Sequence, residues 1–425
     1  MFLEYFFVTN TIIFIINVLQ YTLKNNIVLI YYLLYLLIFF KTTVNLSYNI
    51  FIIFILSFFW VFLLFFINLN LKSSYNYLNL LNASTVILFS GYMMTSDNSI
   101  YFTIVGFEFM LLSSLYLLKN TLKTDRGLEA FIEMYIWGIF GSFFLLTGLV
   151  LNYKSSTCLF YDFYFLSDLC ILLGFSIKIP LWPFTSWLLK AHVEASTEFS
   201  IFLSGFLVKF GVLGCFIVLS TSSSTYIFNI MEVLSTIGII DACLKLFSQV
   251  DLKRIVALTT IIETNWLMLC FSQNNVLMFN LGLFLIFVHC LTTTLEFYIV
   301  EVIYKRYGTR SLVKVNSLEL KTPIISKFFT MNLLITIGLP GTSIFIIKFF
   351  FLSCLLFSNF FIFLIVSFIF LIIMPTFFIR VYLILNCGYN NNKNFLIDIT
   401  RKELIILSLP ILLSLVLGFI LSIII

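Results

Sequence analysis

Apolar stretches of about twenty residues recur along this chain, and no other feature constrains its fold as tightly. A bilayer's hydrocarbon core is about 30 Å thick, and an α-helix crosses it in ~20 residues. Fourteen such stretches run near residues 2–19, 27–40, 48–69, 77–95, 99–118, 129–151, 165–189, 197–220, 226–248, 254–272, 276–303, 324–352, 360–385 and 403–424. Of the 425 residues 61% are hydrophobic and 10% charged, a balance that no soluble domain sustains. The fold class that follows is an all-α integral membrane protein of about 14 transmembrane helices.

Charge placement tests that count independently. Of 24 Lys and Arg, sixteen fall in the odd-numbered loops, whereas the even-numbered loops hold Lys41 and Lys154 alone. Positive residues gather on the inner side of a membrane, so the bias fixes the topology. Both termini then face outward, and the longest basic loop, 304–322, faces inward.

The net charge of +5 therefore reports orientation, and no basic stripe outside the membrane marks a nucleic-acid partner. Eight Cys are scattered without a C-x-x-C pair, which reads as buried thiols. No cleavable signal is expected, since Glu4 lies in an uninterrupted apolar run after Met1. No Gly-rich phosphate loop is present. The two His are too few for a bihaem or copper–haem core, so no cofactor is expected in this chain. The 54 Phe, with abundant Ile, Asn and Tyr, fit an AT-rich organellar gene.

Six basic residues remain within the spans: Lys178, Lys209, Lys245, Lys327, Lys348 and Arg380. Lys327 and Arg380 lie close enough to the inner surface to snorkel, and Lys245 follows Asp241 by one helical turn. Lys178 and Lys209 sit roughly a dozen residues from either end of their spans, beyond the reach of a four-carbon stem. An ammonium at that depth costs about 2.5–3.5 kcal/mol even on insertion scales. No acid sits at i±3 or i±4 of either, so their partners come from other helices. Glu108 and Glu263 are the mid-span carboxylates that could supply them. Burial favours the neutral forms and close pairing the charged ones, so such a pair is either a static structural tie or a switch.

Two spans carry a break near a lysine: Lys178-Ile-Pro180-Leu-Trp-Pro183 in the seventh, and Gly338-Leu-Pro340-Gly341 upstream of Lys348 in the twelfth. Interrupted helices at corresponding places in two halves point to an inverted-repeat transport site. His192 and His289 are candidate proton-transfer groups, or else hydrogen-bonded core residues. Glu133, Glu194, Glu296 and Glu301 near the inner helix ends line an entry funnel or are solvated ends.

The run from Ser176 to Ala195, with Lys190-Ala-His192-Val-Glu194-Ala at its end, resembles the signature of the subunit 4 family of respiratory complex I, the NADH:quinone oxidoreductase. Leu207-Val-Lys209-Phe-Gly211, Gly106-Phe-Glu108, Val250-Asp-Leu-Lys-Arg-Ile-Val-Ala257, His289-Cys-Leu-Thr-Thr and Gly338-Leu-Pro-Gly-Thr342 add to it, over residues 100 to 350. The resemblance implies an antiporter-like, proton-pumping subunit of the mitochondrial inner membrane, with its termini on the intermembrane-space side. It implies inverted five-helix repeats at 76–222 and 223–386, after three helices in 1–75 and before a loop and last helix in 387–425. It makes Glu108 the carboxylate that modulates Lys178, Lys209 the central relay, His289 a link and Lys348 the terminal exit residue. Glu263 and His192 complete the proton-transfer set. The family usually carries glutamate where Lys348 stands, and histidine where Thr185 and Glu263 stand.

The resemblance further implies membrane-arm partners, above all the subunit 2-like and subunit 5-like chains, together with phospholipids. NADH, FMN, iron–sulfur clusters and ubiquinone are expected in partner subunits, so this chain belongs to a translocase but performs no redox chemistry itself. A subunit 2 of the same complex, an Mrp-like cation/proton antiporter and a purely structural scaffold are the alternatives.

Overall fold

The computed structural model describes residues 86, 90, 100–121, 124–157, 161–220, 225–273, 275–315, 317–386 and 397–424. The expected spans at 2–19, 27–40 and 48–69, and all but two residues of 77–95, lie outside these. The chain divides into two compact units, Met1–Asn120 and Thr121–Ile425. In the first, helix α1 (Ile100–Thr121) carries Glu108, which is half-buried, in its middle.

The second unit is helical among its described residues, apart from one bridge between Asp251 and Ser311. Its elements in order are α2 (Asp125–Thr157), α3 (Tyr161–Lys178), α4 (Ser186–Glu194), α5 (Thr197–Phe202), a π-helical turn (Leu203–Leu207) and α6 (Val208–Ser220). There follow α7 (Thr225–Ser248), α8 (Leu252–Ser272), α9 (Val276–Tyr307), the short α10 (Leu318–Lys321), α11 (Pro323–Ile337) and α12 (Ser343–Ser358). Helix α13 (Phe360–Phe368), a second π-helical turn (Ile369–Ile373), α14 (Met374–Asn386) and α15 (Arg401–Ile424) complete the chain. Seven described helical runs are long and apolar enough to cross a membrane, with α11 and α12 as shorter apolar pieces.

Each expected span from the fifth onward coincides with one helix or one interrupted pair. The seventh is α3 plus α4, and the twelfth is α11 plus α12. Helices α2 and α3 meet through small residues, as lipid-embedded helices do. A Cβ on Gly148 would come 2.6 Å from Ile171, and one on Gly174 would come 2.9 Å from the Gly141 carbonyl. Helix α8 is the core of the unit, with nearly every residue buried against α4, α6, α7 and α9.

The two ends of the bundle differ in chemistry. At one end Lys190 binds Glu133, Thr197 Oγ1 donates to Glu301 at 2.7 Å, and Arg306 binds Glu403. Asp398 accepts the backbone N–H of Ile324 at 2.8 Å. At the other end the ties are mostly uncharged: Gln273 and Asn359 donate amide N–H bonds to Glu232 at 2.8 and 2.6 Å, and Ser358 donates to Gln273 at 2.9 Å. The charged end belongs to the odd-numbered loops, as the sequence bias requires.

Candidate functional site

The first break follows from two prolines. Pro180 has no N–H, so the Ser176 carbonyl loses its helical partner. The N–H of Leu181 reaches back to it instead, at 2.9 Å. That shift frees the Ile177 carbonyl, and the Trp187 indole N–H takes it at 3.0 Å. Helix α3 thus ends on Lys178, which is 3% exposed. Its stem lies along Gly141 of α2: a Cβ there would meet Cγ at 3.0 Å and Cε at 3.1 Å.

Lys209 stands just after the first π-helical turn. The N–H of Val208 bonds to the Leu203 carbonyl five residues back, not to Ser204 as an α-helix would. The freed Ser204 carbonyl accepts a hydrogen bond from Lys209 Nζ at 2.6 Å, and the next carbonyl, Gly205, accepts one from Cys290 Sγ at 2.9 Å. Lys209 is fully buried, and its ammonium is held by a carbonyl rather than by a carboxylate.

The carboxylate of Glu263 pairs elsewhere. Lys348 Nζ donates to Glu263 Oε1 at 2.5 Å, with Lys348 2% exposed. The direct hydrogen-bond partner of Glu263 is thus Lys348, beside the expectation that it partners Lys178 or Lys209. That expectation was drawn from depth along each span, whereas pairing depends on which faces meet across the bundle. The second break sets this geometry: α11 ends at Gly338 with φ +84°, a left-handed cap, and α12 restarts at Thr342, whose hydroxyl caps Phe345 at 3.4 Å.

Both histidines are buried. His192 stacks on Phe297 with centroids 5.0 Å apart, and neither ring nitrogen has a hydrogen-bond partner. His289 lies next to Cys290 on α9, and its Nδ1 is likewise without a partner. Of the inner carboxylates, Glu296 is buried and accepts from Thr259 at 3.0 Å, while Glu133 and Glu301 are tied as described above.

Lys253, one of the sixteen cations that the sequence assigns to odd-numbered loops, is a buried residue that sequence position does not reveal. It is 2% exposed, and its Nζ donates to the Ala195 carbonyl at the end of α4. Arg310 donates to Val193 O of the same helix end at 3.1 Å. Cations there complement the negative end of the helix dipole. The spacing Asp251-x-Lys253 carried a signal: Asp251 caps α8 by accepting the Lys253 N–H at 3.0 Å, which places the lysine inside the first turn.

Lysines, histidines and carboxylates buried in a bundle of broken and π-interrupted apolar helices define a multi-pass membrane protein with a polar interior. The family described as NADH:quinone oxidoreductase/Mrp antiporter, TM matches residues 96–374, well over half of the chain, and the chain belongs to that family. It is 32% identical over 275 residues to NADH-ubiquinone oxidoreductase chain 4 of Paramecium tetraurelia, covering 64% of this chain and 53% of that protein. It is 30% identical over 275 residues to NADH-quinone oxidoreductase subunit M of Rickettsia felis, covering 60% and 54%. The chain thus spans about half the length of these relatives. Its fold resembles a chain of the Mrp complex from Dietzia sp. DQ12-45-1b, with TM-score 0.75, 15% identity and coverage of 87% and 80%. It also resembles a chain of an archaeal membrane-bound sulfane sulfur reductase, with TM-score 0.74, 20% identity and coverage of 88% and 78%.

Proposed function

We propose that this chain is the subunit 4-type proton-translocating component of a mitochondrial NADH:ubiquinone oxidoreductase. The observation that carries this reading is Lys209, fully buried and held by one carbonyl that the π-helical turn frees. An ammonium so weakly compensated is poorly suited to a static tie and well suited to gaining and losing a proton. Quinone reduction elsewhere in the complex alters the surroundings of Lys178, with Glu108 as the modulating carboxylate. Lys178 then passes its proton to Lys209 and keeps a neutral amine. Lys209 passes one onward past His289 to the Lys348–Glu263 pair, which releases a proton outward. His192 serves the inner side. NADH, FMN, iron–sulfur clusters and ubiquinone belong to partner chains in this reading, and subunit 2-like and 5-like chains are the neighbours.

Two broken spans, each followed by a span with a π-helical turn, support inverted repeats at 76–222 and 223–386. The test is Lys178→Met or Lys209→Met in the assembled complex. Proton-to-electron ratio should fall while NADH oxidation by an artificial acceptor persists; a wild-type ratio in both variants would remove the relay. An Mrp-like antiporter is the second reading, favoured by the likeness to a chain of the Dietzia complex. It requires migration in native separations apart from NADH-oxidising activity.

A further inference from the structure

Lys348 is enclosed by groups from two other helical spans. Glu263 of α8 takes the ammonium at 2.5 Å, and the rings of Trp266 and Phe370 each lie 5.1 Å from Nζ. Those rings meet edge to face, 6.0 Å apart at 71°. Trp266 is braced from behind by Phe351, 5.0 Å away. Phe370 rests on something less fixed. It sits in the second π-helical turn, where the Met374 N–H bonds to Ile369 O, five residues back. Resetting that turn to an α-helix would swing Phe370 by about 100° around the helix axis and off the lysine.

The break in the twelfth span leaves room for the ring. A Cβ on Gly338 would stand 3.0 Å from Phe370 Cζ, so the break in the twelfth span is cut to admit this side chain. Behind the turn, Ile369 and Ile373 line an apolar groove of about 600 Å3 shared with Cys243 and Phe247 of α7. The break, the π-helical turn and the lysine therefore converge on one ring.

We propose that Phe370 is a gate on the Lys348–Glu263 pair, a positioning residue that rests on the relay reading above. With the ring in place, the ammonium is held between Glu263 and two aromatic faces and is shielded from solvent. When the turn resets, the ring withdraws. A Lys348 N–H bond breaks, its proton goes to outward-facing water, and the neutral amine is recharged by the next proton from the relay.

The experiment uses the intact complex in liposomes with electron transfer idle, an imposed pH gradient and an internal pH dye. Phe370→Ala should collapse the gradient roughly thirtyfold faster than wild type, the rate equivalent of losing a desolvated cation–π contact. Phe370→Trp should stay tight, because the ring is retained. Should the alanine variant fail to assemble, Phe370→Leu keeps apolar bulk without the flat face and should leak as well. An assembled Ala or Leu variant as tight as wild type overturns the gate. Lys178→Met separates the two readings. Unaltered pumping in that variant and in Lys209→Met removes the relay itself. Lost pumping in either, beside a tight Phe370→Ala membrane, removes the gate alone.

Discussion

Lys348 and Glu263 show what one ion pair does at depth. Removing either partner leaves an uncompensated buried charge, a loss of about 3–5 kcal/mol. Glu263→Gln and Lys348→Met should therefore each lower the yield and melting temperature of the complex. The double variant should recover most of both, because no lone charge remains; additive losses would show that the two groups act separately. Gly141 makes a subtler case. Its hydrogen is what allows the Lys178 stem to lie against α2, with 3.0 Å to any added Cβ. Gly141→Ala should displace that stem, lowering pumping several-fold in a complex that still assembles, measured as the proton-to-electron ratio. The residue types at depth were legible in the sequence because an ammonium in an apolar span stands out. Their partners were not: Lys253 reads as a loop cation by position and is buried by tertiary contact, and the pairing of Glu263 with Lys348 follows from facing surfaces.

Elements that break visibly in sequence do so through Pro and Gly, which remove a donor or supply a left-handed turn. Pro180 and Gly338 marked both interruptions for that reason. The π-helical turns left no such mark, since Leu203–Leu207 and Ile369–Ile373 are apolar runs like their surroundings. One extra residue per turn changes the hydrogen-bond register but not the composition. Trp187 shows how a break is kept in shape: its indole N–H satisfies the Ile177 carbonyl that the shifted register frees. Trp187→Phe keeps an aromatic ring, gives up part of the volume and leaves that carbonyl without a donor, the last costing about 1–3 kcal/mol. The complex should melt several degrees lower and pump less, with NADH oxidation by artificial acceptors unchanged. An unaltered melting curve would mean that the carbonyl finds another donor.

Across the whole molecule, orientation is written in which end carries the charges. Lys190, Arg306, Lys253 and Arg310 gather at the helix ends joined by odd-numbered loops, where they tie α2, α4, α8, α9 and α15 together. The opposite end is joined mostly by amides and hydroxyls around Glu232. A chain inserted the other way would carry that cationic end across the membrane, against the bias that sets topology. In sealed mitoplasts, whose intermembrane-space face is outward, protease should remove epitope tags at both termini and spare a tag within 304–322. Inverted vesicles should give the reverse pattern. Protection of the termini in mitoplasts would reverse the direction of the proposed relay, because Lys348 would then release its proton towards the side from which His192 is proposed to draw it.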